Sequence, residues 1–185
     1  MTVLAVATGD HVFWITSRAA GIVAMLLASC SVGLGLAMGG RLLKIKASDL
    51  RTAHEALSIG TMAAIVVHGG SLLGDAFMKP SLADITIPFA SSYAQPWTSL
   101  GIVCGWLLIV LGLSYYVRAR IGVNRWRKLH RWTALVWLLS LGHALGEGTD
   151  AGQLWFLASA AIVVIPALGL LAARYAPATP KASRS

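Results

Sequence analysis

Five long apolar segments constrain this chain more than any other feature of its sequence. They run from about Val12 to Met38, Ala53 to Gly74, Trp97 to Val117, Leu129 to Gly146 and Leu154 to Tyr175. An α-helix needs roughly 20 apolar residues to cross the hydrocarbon core of a bilayer. Open strands cannot satisfy their backbone hydrogen bonds in lipid, and the segments lack a period-2 pattern. The sequence therefore predicts an all-α integral membrane protein with a five-helix transmembrane bundle.

The charged residues agree with a membrane location and predict the orientation. They make up 12% of the 185 residues, about half the share usual in soluble domains. Of the 15 basic residues, 13 lie between the first and second segments, between the third and fourth or at the start of the fourth, or at the C-terminal end. The positive-inside rule then places the N-terminus outside and the C-terminus in the cytoplasm. We expect a multi-pass protein of the bacterial cytoplasmic membrane, surrounded by lipid, and no nucleic-acid partner for the net charge of +8.

The chain is predicted to form one folded unit. Residues 1–11 are expected to be an outer N-terminal segment, residues 12–175 a single transmembrane domain, and residues 176–185 a disordered cytoplasmic tail. The longest loop, residues 75–96, lies on the outer side, where a short interfacial helix, a lid and a plain connector are all open. Cys30 and Cys104 fall at different depths and outside any C-x-x-C-H motif, so neither a disulfide nor covalent haem attachment is predicted.

Four histidines form two pairs at matched depths. His54 and His130 stand at the cytoplasmic starts of the second and fourth segments, His68 follows His54 by 14 residues, and His143 follows His130 by 13. These separations correspond to about 21 Å and about 19.5 Å along a helix axis. Both segments are predicted to run from inside to outside, so each level offers one imidazole from each of two helices. Ionisable residues inside a membrane are costly and mark functional sites.

Each level suits a b-type haem, whose six-coordinate iron takes two axial nitrogens from opposite sides of the macrocycle. The pattern therefore predicts two haem b groups with the four histidines as axial ligands of the iron. Zinc fits less well, because a zinc site requires three or four ligands within about 2.0–2.3 Å of one ion. A spacing of 13 residues leaves His130 and His143 about 140° apart on an ideal helix. The fourth helix must therefore tighten, tilt or present them from different sides.

At these residues the chain resembles the ferric reductase-like transmembrane domain superfamily, which includes NADPH oxidases and ferric-chelate reductases. The specific motifs are H-x13-H from His54 and H-x12-H from His130. The supporting motifs are Trp14-Ile-Thr-Ser-Arg-Ala-Ala-Gly21, Pro88-Phe-Ala-Ser-Ser-Tyr93 and Trp126-Arg-Lys-Leu-His-Arg131. The resemblance covers about residues 12–175. It implies ligation of an inner haem by His54 and His130 and of an outer haem by His68 and His143.

The resemblance also implies a role in membrane electron transfer. Full-length reductases of this type continue into a cytoplasmic FAD- and NAD(P)H-binding module, whereas about ten residues follow the last segment here, without a glycine-rich nucleotide fingerprint. We therefore expect a separate flavoprotein or quinol as electron donor and a ferric chelate, dioxygen or a periplasmic reductase as outer acceptor. The chain would act as the membrane subunit of an oxidoreductase, without a catalytic nucleophile or general base. The alternative is a non-catalytic haem- or metal-binding sensor or transporter subunit.

Further residues are expected to support the haems. Arg18, just inside the outer end of the first segment, is a candidate contact for a haem propionate, because arginine pairs well with carboxylates. The alternative is an arginine whose charged head reaches the membrane interface. The basic residues from Arg118 to Arg131 either dock an acidic donor protein or face anionic lipid. Four glycines are expected to allow close contact between helices or with a haem: Gly33, Gly35, Gly69 and Gly70.

Overall fold

The fold is described by a computed structural model that covers residues 11–176. Of these residues 77% are helical, and none of them lies in a strand. The predicted all-α class is thereby confirmed. The expected outer segment and cytoplasmic tail fall almost entirely on residues 1–10 and 177–185, which lie outside the described residues.

Eight helices follow one another along the described part of the chain. They are α1 Val12–Gly39, α2 Ala47–Leu72, α3 Leu82–Thr86, α4 Gln95–Leu113, α5 Arg118–Ile121, α6 Val123–His130, α7 Trp132–Glu147 and α8 Leu154–Tyr175. Helices α1, α2, α4 and α8 are long and apolar enough to cross a membrane. Helix α7 has 16 residues and is about 24 Å long, which is shorter than a bilayer core of about 30 Å. Four candidate spans are therefore found, and the fifth crossing stays a prediction.

Helix α1 is the centre of the bundle, because it packs against α2, α7 and α8. Small side chains at a helix interface let two backbones approach closely in a membrane, and α1 follows this rule. Its buried residues are Ser17, Ala24, Ala28, Ser29, Ser31 and Ala37. Helices α4 and α7 form a second closely packed pair. The bundle is thus assembled from two packed groups, with α1 reaching across to α7.

Trp137 occupies the middle of the bundle. Its side chain is completely buried and packs with Ala28 and Ala167. Its indole Nε1 donates a hydrogen bond to the Ser29 hydroxyl at 3.0 Å. Buried tryptophan needs a partner for its N–H group, so α7 is tied to α1 by both packing and a polar contact.

Large apolar side chains cover the outward faces of the long helices. Val66 in α2 and Ile162 in α8, for example, are 61% and 74% exposed. A water-soluble protein rarely exposes large contiguous apolar patches, whereas lipid tails are as apolar as these side chains. The surface of the bundle therefore agrees with a membrane environment.

The outer loop, residues 75–96, contains the short helix α3. Its first turn is closed by a reciprocal capping pair, in which the Asp84 N–H donates to the Ser81 hydroxyl and the Ser81 N–H donates to the Asp84 carboxylate. The Ser81 hydroxyl and N–H hold the pKa of the Asp84 carboxyl below its usual range. The Trp106 indole donates to the Thr86 carbonyl at 2.9 Å. The loop thus contains a short helix that is fixed to α4.

We expect Trp137→Ala to lower the free energy of unfolding by about 3–5 kcal/mol, because the truncation leaves a large cavity and removes the hydrogen bond from the indole to the Ser29 hydroxyl. Trp132→Ala is the matched control, since this tryptophan of the same helix is 60% exposed; its effect should be about 0.5 kcal/mol or less. Unfolding of the detergent-solubilised protein measures both. Equal losses in the two variants would contradict the central position of Trp137.

Candidate functional site

The four histidines lie in two pairs inside the bundle. The ring centroids of His54 and His130 are 6.2 Å apart, and those of His68 and His143 are 6.3 Å apart. The two rings of each pair are steeply inclined, at 86° and 69°. These are the pairings expected from the matched depths, and the role of the rings as haem ligands stays a prediction at this point.

Backbone carbonyls of neighbouring helices orient three of the four rings through Nδ1. The distances are 3.0 Å from His54 to the Ser31 carbonyl, 2.8 Å from His68 to the Ser17 carbonyl and 2.9 Å from His143 to the Trp97 carbonyl. A carbonyl only accepts, so Nδ1 carries the proton and Nε2 keeps its lone pair. Histidines that bind metals usually have this arrangement, in which the second nitrogen is held by a carbonyl or carboxylate.

His130 is held in a different way. Trp126, one turn earlier in α6, stacks on its ring with centroids 5.0 Å apart and an interplanar angle of 23°. Its buried Nδ1 has no well-formed hydrogen bond, although the Leu111 carbonyl of α4 lies beside the ring. The inner pair is therefore asymmetric: α1 orients His54, whereas His130 is held largely by its own helix.

A tighter turn at Arg131 joins the helix of His130 to the helix of His143. His130 ends α6 and His143 lies in α7, with Arg131 between the two helices. At this junction the Ala134 N–H bonds to the Arg131 carbonyl, at 3.3 Å. That is the i→i+3 pattern of a 3₁₀ helix, in which each residue turns by about 120° rather than about 100°. The tighter winding acts in the direction that the 13-residue spacing requires, and tightening is one of the three alternatives that the sequence leaves open.

Glycines make room for three of the rings. A Cβ atom added to Gly35 would lie 3.1 Å from the His54 ring, one added to Gly21 would lie 2.9 Å from the His68 ring, and one added to Gly101 would collide with the His143 ring. A side chain at these positions would displace the ring, slightly at Gly35 and most at Gly101. Among the glycines expected from sequence, Gly35 therefore has a direct part in the site.

The other expected glycines lie elsewhere. A Cβ atom added to Gly33 would lie 3.6 Å from the Cβ atom of Ala167, so Gly33 lies where α1 meets α8. Nothing lies within 4 Å of the positions that a Cβ atom would take on Gly69 and Gly70. Close helix contact thus holds for Gly33, whereas the faces of Gly69 and Gly70 are open in the described part of the chain.

Helix α1 repeats a motif that the sequence reasoning missed. Ser-x-x-x-Gly occurs at residues 17–21 and again at residues 31–35, and each copy supplies one carbonyl and one glycine to a histidine of α2. The copies are 14 residues apart, the same spacing as His54 and His68. The shared spacing of the two helices was the signal in the sequence that could have found this motif.

Two carboxylates near the outer level were also missed. Glu147, one turn after His143, has Oε2 at 3.4 Å from the His143 Nδ1, and its Oε1 accepts a hydrogen bond from the Thr98 hydroxyl at 2.8 Å. Asp150 is buried and accepts from Nε and Nη2 of Arg18. This pair uses two of the five guanidinium N–H groups. The contact between Arg18 and a haem propionate stays a prediction.

The ring pairs have the separation of two ligands on opposite sides of one metal ion. With metal–nitrogen bonds of about 2.0–2.1 Å and ring centres about 1.1 Å beyond each nitrogen, two opposed imidazoles have centroids about 6.2–6.4 Å apart. A planar group between α2 and α7 would require these helices to stand apart. They are not among the closely packed helix pairs of residues 11–176. In the same residues no group of three or more His, Cys, Asp or Glu side chains converges on one point. The residues present therefore fit a haem at each level.

Fold and site together define a helical membrane protein with two intramembrane histidine pairs. The sequence model of the family described as ferric reductase like transmembrane component matches residues 20–141, about two thirds of the chain. The chain belongs to this family, and the family indicates a role in membrane electron transfer. The match includes His54, His68 and His130 and ends two residues before His143. Comparison with curated proteins and with solved structures finds no match.

We expect Gly101→Ala to lower the thermal unfolding midpoint, because the added methyl group would displace the His143 ring from its carbonyl partner. Gly70→Ala is the control in another helix, where the added methyl group meets no neighbour. It should leave the midpoint unchanged or raise it slightly, because alanine stabilises a helix by about 0.5–1 kcal/mol relative to glycine. A Gly101→Ala protein as stable as Gly70→Ala would show that His143 is not seated against Gly101.

Proposed function

We propose that this chain is a di-haem b-type cytochrome that carries electrons across the cell membrane. His54 and His130 bind the iron of an inner haem, and His68 and His143 bind the iron of an outer haem. The observation that carries the proposal is the separation within the two ring pairs, 6.2 Å and 6.3 Å, which suits one iron between each pair. Membership of the ferric reductase-like family supports the redox role.

We infer five crossings, with the N-terminus outside and the C-terminus in the cytoplasm. The basic residues support this orientation, because Arg51 stands one turn before His54 and Lys128 stands two residues before His130. Helix α7 is the short crossing. Arg131 has helical backbone angles, φ −63° and ψ −26°. The basic helix α6 therefore extends this crossing from the start of α7 toward the cytoplasmic interface.

Bound haem supplies the one-electron chemistry of its iron, and the residues of the chain supply position and environment. The carbonyls of Ser17, Ser31 and Trp97 hold three imidazoles with Nε2 free for a metal. Glu147 places a carboxylate beside His143. Electron transfer of this kind breaks no bond in the protein, so no nucleophile or general base takes part.

Electrons enter at the inner level from a cytoplasmic flavoprotein or a quinol in this proposal. They leave at the outer level to a ferric chelate, dioxygen or a periplasmic reductase. The chain then acts as the membrane subunit of an oxidoreductase.

The function is tested in vesicles that contain the purified, haem-loaded protein. Ferricyanide is enclosed in the vesicles and dithionite is added outside, so that electrons must cross the membrane to bleach the ferricyanide. We expect bleaching with the wild-type protein and a strong loss of its rate with His68→Ala, because one half of the path is removed. Haem bands without any transfer would favour the non-catalytic sensor or transporter subunit instead.

We expect His68→Ala and His143→Ala each to reduce the haem content from about two groups per chain to about one, since a bis-histidine site loses an axial ligand. The remaining haem should keep low-spin b-type bands. His11→Ala is the control, because His11 is exposed and outside both pairs; it should keep both haems. Loss of both haems from a folded His68→Ala protein would contradict two independent levels.

A further inference from the structure

An aromatic series leads from the inner histidine pair to the surface of the protein. Trp126 stacks on the His130 ring. The Tyr115 ring follows at 5.8 Å from Trp126, and the Tyr116 ring at 5.4 Å from Tyr115, centroid to centroid. Tyr116 is 55% exposed. Three rings therefore join a proposed haem ligand to the exposed surface of the bundle.

Hydrogen bonds and a cation hold this series in place. The Trp126 indole donates to the buried Ser114 hydroxyl at 3.1 Å, and the Tyr116 hydroxyl donates to the Glu55 carboxylate at 2.8 Å. The Arg118 guanidinium lies over the Tyr115 ring at 3.9 Å. Glu55 directly follows His54 in α2, so the series is fixed to both helices of the inner pair.

The surface beside the aromatic series is strongly basic. Four exposed cations flank the three rings in sequence, and none of them forms an ion pair within residues 11–176. They are Arg120, Arg125, Arg127 and Lys128. We call these four residues, with Tyr115, Tyr116 and Trp126, the entry surface.

The entry surface differs from the other basic loop on the same predicted side. Arg41, Lys44 and Lys46 are also exposed, but no aromatic residue lies between α1 and α2. Attraction to anionic lipid would explain the basic residues of both loops, but it would not explain the aromatic residues of the entry surface. Only the entry surface combines the charge with a row of rings that ends on His130, which favours an electron donor as its partner.

We propose that the entry surface docks a reduced flavoprotein with an acidic face and that Trp126 and Tyr115 lie on the route of the electron. This inference rests on the proposed function and deepens it, because it selects a protein donor over a quinol. In each transfer one electron passes from the reduced flavin to the ferric iron held by His54 and His130. The flavin is oxidised by one electron, the iron becomes ferrous, and the two aromatic residues are unchanged.

Docking is tested by stopped-flow reduction of the haem-loaded protein with reduced flavodoxin, an acidic flavoprotein. The wild-type rate should fall at least about tenfold between about 20 mM and about 300 mM salt, since opposite charges that steer an encounter are screened. Arg125→Glu/Arg127→Glu/Lys128→Glu should lower the low-salt rate about tenfold or more and remove its salt dependence. The control with the same change of charge, Arg41→Glu/Lys44→Glu/Lys46→Glu, should lower the rate clearly less, because its loop contains no aromatic residue that leads to a histidine.

The aromatic route is tested at Trp126. Trp126→Phe keeps a ring against His130 and should transfer at close to the wild-type rate, whereas Trp126→Leu should be several-fold slower with the same salt dependence. Equal rates for the two variants would overturn the role of the ring. Equal effects of the two triple variants, or reduction of the wild type by a neutral quinol but not by flavodoxin, would overturn docking. Dithionite spectra count the haems separately, so absence of haem would instead refute the proposed function.

Discussion

The structure depends on the hydrogen bonds that imidazole rings form inside a membrane. A polar ring in hydrocarbon requires partners, because an unpaired polar group there is costly. Helix α1 meets this requirement for α2 with the carbonyls of Ser17 and Ser31, and Gly21 and Gly35 give the rings room to reach them. Each hydrogen bond takes up Nδ1 and leaves Nε2 free. The contacts that satisfy the histidines in lipid therefore also leave Nε2 available, as their proposed role as metal ligands requires.

The same constraint explains the architecture of the bundle. If α2 packed directly on α7, the paired rings would have no space between them, and the close packing is found instead between α1 and α2 and between α4 and α7. In the same way, α4 provides His143 with a carbonyl partner at Trp97 and with space at Gly101. Helices α2 and α7 thus each pack on a neighbouring helix that orients histidine rings. The exception, His130, is the ring that Trp126 connects to the surface.

Much of this arrangement could be predicted from the sequence. The apolar segments define α1, α2, α4 and α8 to within a few residues, except that α2 begins six residues early with Asp49 in its first turn. The histidine spacings indicate which rings meet. The partners of Nδ1 could not be predicted, because they are backbone carbonyls and every residue has one. The pairing of Arg18 with Asp150 was also missed, since the two residues meet only through folding over a separation of 132 residues.

The central claim is that two imidazoles from different helices bind one iron at each of two levels. It is tested most directly by electron paramagnetic resonance of the oxidised wild-type protein, with haem and chain quantified in the same sample. The account predicts two low-spin ferric signals and two haem b groups per chain, because every iron has two strong nitrogen ligands. A high-spin ferric signal as the main species, or one haem or none in protein produced with ample haem, would contradict it.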